Sequence, residues 1–175
     1  DSVASRGLGD VYKRQAGEIS LREVARAADV SHNAPYHHFS DRRGLLKVLA
    51  ERSMADLVAA VSVAIEAASD PASAAIDGGA AYIRFAVEHP HGFDVIYDPT
   101  VCIPGEPSET MAPLIAELEE LLSPASVAAG LDSKSGVTGV WGLVHGLGTL
   151  CAAGHFSLDD ALAASADSLA RMLRN

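Results

Sequence analysis

Between Ser31 and His38 the chain gathers Ser31, His32, Asn33, Ala34, Tyr36, His37 and His38. Most of these side chains carry hydrogen-bonding groups on short stems. Asn pairs with adenine in a bidentate way, His donates or accepts, and an Ala methyl can touch a thymine methyl. If Ser31 to Ala34 open a helix, they can face base edges in a major groove. Tyr36, His37 and His38 then lie one turn further on, where side chains meet phosphates. Arg42 and Lys47 follow as cationic phosphate contacts.

Such a reading tip needs elements to hold it. Ser20 and Glu23 have the spacing of a capping box, in which each satisfies a backbone N–H of the other. Leu21, Val24, Ala25 and Ala28 then form one apolar face, and Asp29-Val30 interrupt it. Ser31 is placed to cap a second helix, with Pro35 in its first turn, where a missing N–H costs least. Phe39 packs the pair together. The pattern is that of a helix-turn-helix, but ordinary helical hairpins share it, so spacing by itself leaves both readings open.

The rest of the chain reads as helices. A third begins at Ser40-Asp41 and ends at Ser69-Asp70-Pro71, and a fourth covers about Ala72 to Glu88. His89-Pro90 stops it, because a residue before proline avoids the helical region. A short segment His91 to Tyr97 follows, and Asp98 to Ser108, with three prolines, is a loop. Thr110 to Leu122 is helical, Ser123 to Ser135 is expected as a loop, and helices follow over about 136–153 and 157–174. The fold class expected is all-α, with a helix-turn-helix head over 16–55 and a helical-bundle body over 56–175.

Charge is divided in the same way. Of a net −10, residues 1–55 contribute +2 from nine Lys/Arg against seven Asp/Glu, and the remainder contributes −12. A mildly basic head on an acidic body fits a protein that meets phosphates with one end only. Cys102 and Cys151 make neither a metal pair nor a disulfide framework. Val137 to Gly154 is uncharged but holds five glycines, and it reads as a buried core helix rather than a membrane span. A cytoplasmic location is expected. His89, His91, His145, His155 and Cys151 lack metal-ligand spacing with a carboxylate partner. No nucleophile–base set or phosphate-cradling loop is visible, so neither an enzyme nor a cofactor is expected.

The segment ISLREVARAADVSHNAPYHHFSDRRGLL closely resembles the DNA-binding segment of TetR-type transcriptional regulators. Val30-Ser31, Tyr36, His38-Phe39 and Asp41-Arg42 match that hallmark in order and spacing. The resemblance implies that Ser20 and Arg22 touch the DNA backbone and that His32, Asn33 and His37 read bases. It also implies that Tyr36 and Lys47 hold phosphates. In the body, Tyr82-Ile83-Arg84-Phe85-Ala86, His89-Pro90-His91-Gly92-Phe93 and Trp141-Gly142-Leu143-Val144-His145-Gly146 resemble the ligand-binding subgroup named for its Trp-His-Gly motif. This second likeness implies a body that dimerises through its last two helices and encloses a small-molecule pocket. Binding there would shift head spacing and release a palindromic operator.

A pocket lined by Tyr82, Phe85, Phe93, Tyr97, Met111, Trp141 and His145 is consistent with these residues, as is an ordinary core. Gly139, Gly142 and Gly146 share one face of the penultimate helix. Each costs roughly 1 kcal/mol there, which suggests a gain from close approach of another helix. The expected partners are operator DNA, an unidentified small effector and a second copy of the chain. Asp1 to Gln15 contain Gly7 and Gly9 with no apolar stripe, and resemble a translated junction peptide in place of a first helix. A genuine arm reaching a minor groove through Arg6, Lys13 and Arg14 is the alternative. A head so truncated leaves a second function open, a dimeric small-molecule-binding protein without operator binding.

Overall fold

The computed structural model describes residues 20–128 and 133–173; the leader expected over 1–15 lies outside them. Seven α-helices are present among these residues: α1 Leu21–Ala27, α2 Arg42–Ala67, α3 Pro71–Glu88, α4 Pro90–Ile96, α5 Met111–Ala128, α6 Ser133–Ala152 and α7 Leu158–Met172. A single 3-10 turn, Ala34–His37, lies between α1 and α2. The described residues contain no strand, in agreement with the all-α expectation.

Local chemistry explains most of the helix starts. Ser20 and Glu23 form the capping box on α1: the Ser20 hydroxyl accepts from the Glu23 N–H, and the Glu23 carboxylate accepts from the Ser20 N–H at 2.9 Å. At α2 the Asp41 carboxylate accepts from the Gly44 N–H at 2.8 Å. Asp70 takes the N–H groups of Ala72 and Ser73 at the head of α3, and Ser157 takes that of Asp160 at α7. Each cap satisfies donors that the first turn leaves orphaned. His89 alone separates α3 from α4, and Pro90 opens α4, where its fixed φ suits a first helical residue.

Two sequence expectations need correction. Ser31 does not cap an α-helix. Its hydroxyl accepts from the Asn33 N–H at a long 3.4 Å, and the element that follows is one 3-10 turn with Asn33 at its N-cap and no side-chain cap bond. Asn33, Tyr36, His37 and His38 are weak helix formers, so the chain makes i→i+3 bonds and stops. The loop expected from Ser123 to Ser135 is also too long. α5 continues to Ala128 with Pro124 inside it, and α6 begins at Ser133. Leu118 and Leu122 are buried ahead of Pro124, and that packing holds the helix through a residue that would end it in isolation.

α3 is the central helix, packed on α2, α6 and α7. Its fully buried Tyr82, Ile83 and Ala86 meet a core that includes Met54, Leu57 and Val61 of α2, Leu118 of α5, Val144 of α6 and Leu169 of α7. Gly78 and Gly79 let the neighbours come close. A Cβ at Gly78 would lie 2.9 Å from the Ile65 side chain, and one at Gly79 would lie 2.9 Å from Leu169. α2 runs unbroken through positions 55 and 56, so one helix serves both the head and the body. No helix among the described residues is long and apolar enough to cross a membrane.

Candidate DNA-reading tip and buried aromatic network

The tip is fixed from below. α1 ends in a Schellman motif: the Val30 N–H bonds to the Ala25 carbonyl at 3.0 Å and the Asp29 N–H to the Arg26 carbonyl at 3.3 Å. This needs a left-handed residue between them, and Asp29 supplies it at φ 54°, a conformation Asp tolerates better than most. Leu21, Ala25 and Pro35 are buried, which seats α1 and the 3-10 turn on the rest of the head. Ser31, His32, Asn33, Tyr36, His37 and His38 are all exposed, as are Ser20 and Arg22. Tyr36 leaves 49% of its surface open, a large aromatic group standing in solvent. Phe39 is half-buried, with its N–H on the Pro35 carbonyl at 2.8 Å.

The two cations expected as clamps are placed differently from each other. Arg42 is half-buried, and its Nε is buried without a hydrogen-bond partner among the described residues. Lys47 is exposed and lines a cavity between the start of α2 and the loop after α4.

In the body, Tyr82 of α3 is the hub of a hydrogen-bonded aromatic group. Its hydroxyl lies 2.6 Å from that of Tyr97 and 3.2 Å from Nδ1 of His145. The Trp141 indole N–H donates to both hydroxyls, at 3.1 and 3.2 Å. Phe93 stacks on His145 at 5.2 Å between centroids and meets Tyr82 edge-on. Burial pushes the Tyr82 hydroxyl far above the ordinary tyrosine value, and the neighbouring Tyr97 adds to the shift. Burial likewise raises Tyr97 and lowers His145, so hydroxyls and imidazole are neutral near pH 7. The single Tyr82 hydroxyl proton can go to Tyr97 or to Nδ1 of His145 but not to both, so the direction of the chain follows the His145 tautomer. The group can orient a polar molecule, but it holds no anion ready to act as a base.

Five of the pocket residues expected from sequence, Tyr82, Phe93, Tyr97, Trp141 and His145, therefore meet. Two stand apart. Phe85 is buried with its ring on His89 at 4.8 Å, and Met111 lines the cavity beside Lys47. No sequence signal tied Met111 to the head; the contact comes from the fold of the loop before it. Gly139, Gly142 and Gly146 have nothing within 4 Å of a built Cβ, so no helix of this chain approaches them closely among the described residues. The tight glycines of the fold are Gly78, Gly79 and Gly92 instead. Among the described residues no His, Cys, Asp or Glu cluster could hold a metal ion.

Comparison with known proteins agrees with this architecture. The family described as "Tetracyclin repressor-like, C-terminal domain" matches residues 75–173. A protein of unknown function from Rhodococcus sp. RHA1 is similar, with TM-score 0.76 and 28% identity over 97% of this chain and 92% of that one. The TetR family transcriptional regulator PfmR from Thermus thermophilus shares the fold, with TM-score 0.70 and 21% identity over 100% and 98%. So does the fatty acid degradation regulator FadR from Bacillus halodurans, with TM-score 0.71 and 13% identity over 96% and 92%. No curated protein matches.

Proposed function

Given that the chain belongs to the TetR family of transcriptional regulators, we propose that it is a ligand-responsive repressor that binds a palindromic operator as a homodimer in the cytoplasm. The observation that carries this reading is the exposed tip Ser31 to His38, seated on a capped helix by buried Leu21, Ala25 and Pro35. Its polar side chains stand clear of the body and free to meet another molecule. His32, Asn33 and His37 read bases, while Tyr36, His38, Ser20 and Arg22 hold backbone. Ser31 stands at the start of the tip beside them, and Arg42 and Lys47 add positive charge.

The second copy packs on α6 and α7. Gly139, Gly142 and Gly146 form an open strip there, and Leu150 and Phe156 expose 42% and 40% of their surface beside it. A symmetric pair of helices from each copy fits such a strip. Two heads must then sit about one DNA turn, ~34 Å, apart to enter successive major grooves. The effector binds at Tyr82, Phe93, Tyr97, Trp141 and His145, and acts by its different affinity for two head spacings.

A gel-shift on the protein's own promoter region over a range of salt tests the reading. Asn33→Ala and Tyr36→Phe are expected to abolish the specific shift while sedimentation still shows a dimer. Retained binding in both variants would sink the groove assignment. A dimer that binds no promoter DNA would leave a small-molecule-binding protein instead.

A further inference from the structure

A cavity of about 510 Å³ opens between the first turns of α2 and the loop 98–110, apart from the aromatic network. Its size lies within the range of ligand sites, roughly 300–1,000 Å³. Both walls are built. Asp98 ties its side of the loop, accepting from the Thr100 N–H and hydroxyl at 2.8 and 2.6 Å. At the far edge the Ser108 hydroxyl donates to Glu51 at 2.5 Å and accepts from the Met111 N–H at 3.1 Å, which pins the start of α5 to α2.

The chemistry of the walls is ordered. Asp41 caps the α2 wall, and Arg43, Lys47 and Glu51 then succeed one another at four-residue steps, so two cations are followed by a carboxylate about 6 Å further along the axis. Among the described residues neither cation has an ion-pair partner; Glu51 is engaged by Ser108 rather than by Lys47. All three charges act on the Cys102 thiol in the same cavity. Burial raises that thiol most, Glu51 and Asp98 add to the rise, and Lys47 and Arg43 oppose it. The facing wall is mixed: Val101, Ile103 and Met111 are apolar, Glu106 and Ser108 are polar, and Ile103 keeps 43% of its surface open.

We propose that this cavity binds a short zwitterionic peptide, of dipeptide length, with apolar side chains. The carboxylate lies on Arg43 and Lys47, where a guanidinium fork can hold both oxygens. The ammonium group lies by Glu51, and Glu106 adds a second carboxylate at the mouth. A free amino acid carries both charges on one carbon and cannot span the step from Lys47 to Glu51. The termini of an extended dipeptide, ~7 Å apart, can. The side chains cover Val101, Ile103 and Met111.

The test is calorimetry on the full chain without DNA, so its failure is separate from failure of the operator reading. The probes are leucyl-leucine, its N-acetyl form, its C-terminal amide and free leucine. Leucyl-leucine is expected to bind saturably, and each of the others at least about tenfold more weakly, ~1.4 kcal/mol. Arg43→Ala should erase the preference for the free carboxylate, and Glu51→Gln the preference for the free ammonium. Arg84→Ala, which removes an exposed cation outside the cavity, should change neither. No saturable binding of leucyl-leucine, or equal binding of the blocked forms, overturns the proposal. So does binding lost in Arg84→Ala but kept in Arg43→Ala, and thermal melts of each variant confirm that folded protein is compared.

Discussion

The reading tip and the aromatic network are built in opposite ways. In the head, the side-chain hydrogen bonds that shape α1, the turn and the start of α2 join residues no more than three apart. In the network, the bonds join residues 15 to 63 apart and come from two helices, α3 and α6, and the residue that ends α4. The head can therefore take its shape from its own sequence and leave its polar side chains free to meet another molecule. The network exists only once the whole body has closed around Tyr82, and its polar atoms are spent on one another. An exposed polar surface held by local bonds suits recognition of a large partner. A buried one held by distant bonds couples whatever it touches to the packing of the body.

This contrast can be broken or sharpened by mutation. Phe93→Ala should have the largest effect, because it empties a buried ring site between Tyr82 and His145. A loss of about 3–5 kcal/mol is expected in urea unfolding, and an unchanged midpoint would show that the ring is not central to the body. Tyr82→Phe keeps the ring but removes the hub hydroxyl, leaving Nδ1 of His145 without its hydrogen-bond partner. It should cost about 1–3 kcal/mol and shift Trp141 fluorescence, since the indole N–H keeps only Tyr97; an unaltered emission spectrum would contradict the shared bond. Ser20→Ala should cost about 1 kcal/mol, but locally. Faster amide exchange is expected over Leu21–Ala27 with little change in the main melting transition. An equal fall in both would erase the distinction between head and body.

The smallest effect concerns acid. Asp70 is held down at about 2, first by the Ser73 hydroxyl and then by the Ser73 N–H. Its folded value lies below the ordinary 3.8, so its cap supports the fold above that value and fades as pH falls from there through about 2. Asp70→Asn should flatten that part of the acid unfolding curve and leave the curve near pH 7 in place. A variant curve that still bends in the same window would assign the bend to another carboxylate.

What could be read in the sequence follows the same division. The cap at Ser20 and the helix start at Asp41 were legible because each acts within three residues, whereas Asp70, read only as the end of one helix, also caps the next. The 3-10 turn was not, since Ser31 and Pro35 suit a longer helix equally well and only tertiary seating decides how far it runs. Pro124 was misread for a related reason: a breaker is judged by local propensity, whereas Leu118 and Leu122 hold it from outside. The aromatic residues of the network could be named but not joined, and Phe85 and Met111 make their contacts elsewhere, with His89 and in the cavity beside Lys47. The Ser108–Glu51 bond spans 57 residues and left no mark on spacing. Gly139, Gly142 and Gly146 of α6 stood out by repetition, yet the close contacts within this chain belong to others, among them Gly78 and Gly79 of α3 and Gly148 of α6 itself.

The unbroken course of α2 has a mechanical consequence. Its 26 residues make a stiff rod of about 39 Å, with Arg42 at one end and Ile65 wedged against Gly78 near the other. A tilt of ~5° about that wedge carries the far end ~3 Å, by the same rise per residue. Hydrogen bonds to base edges fail over a much smaller displacement. The wedge at Gly78 thus sits where a fulcrum would, and a small change in packing around it would be magnified at the Arg42 end of the rod.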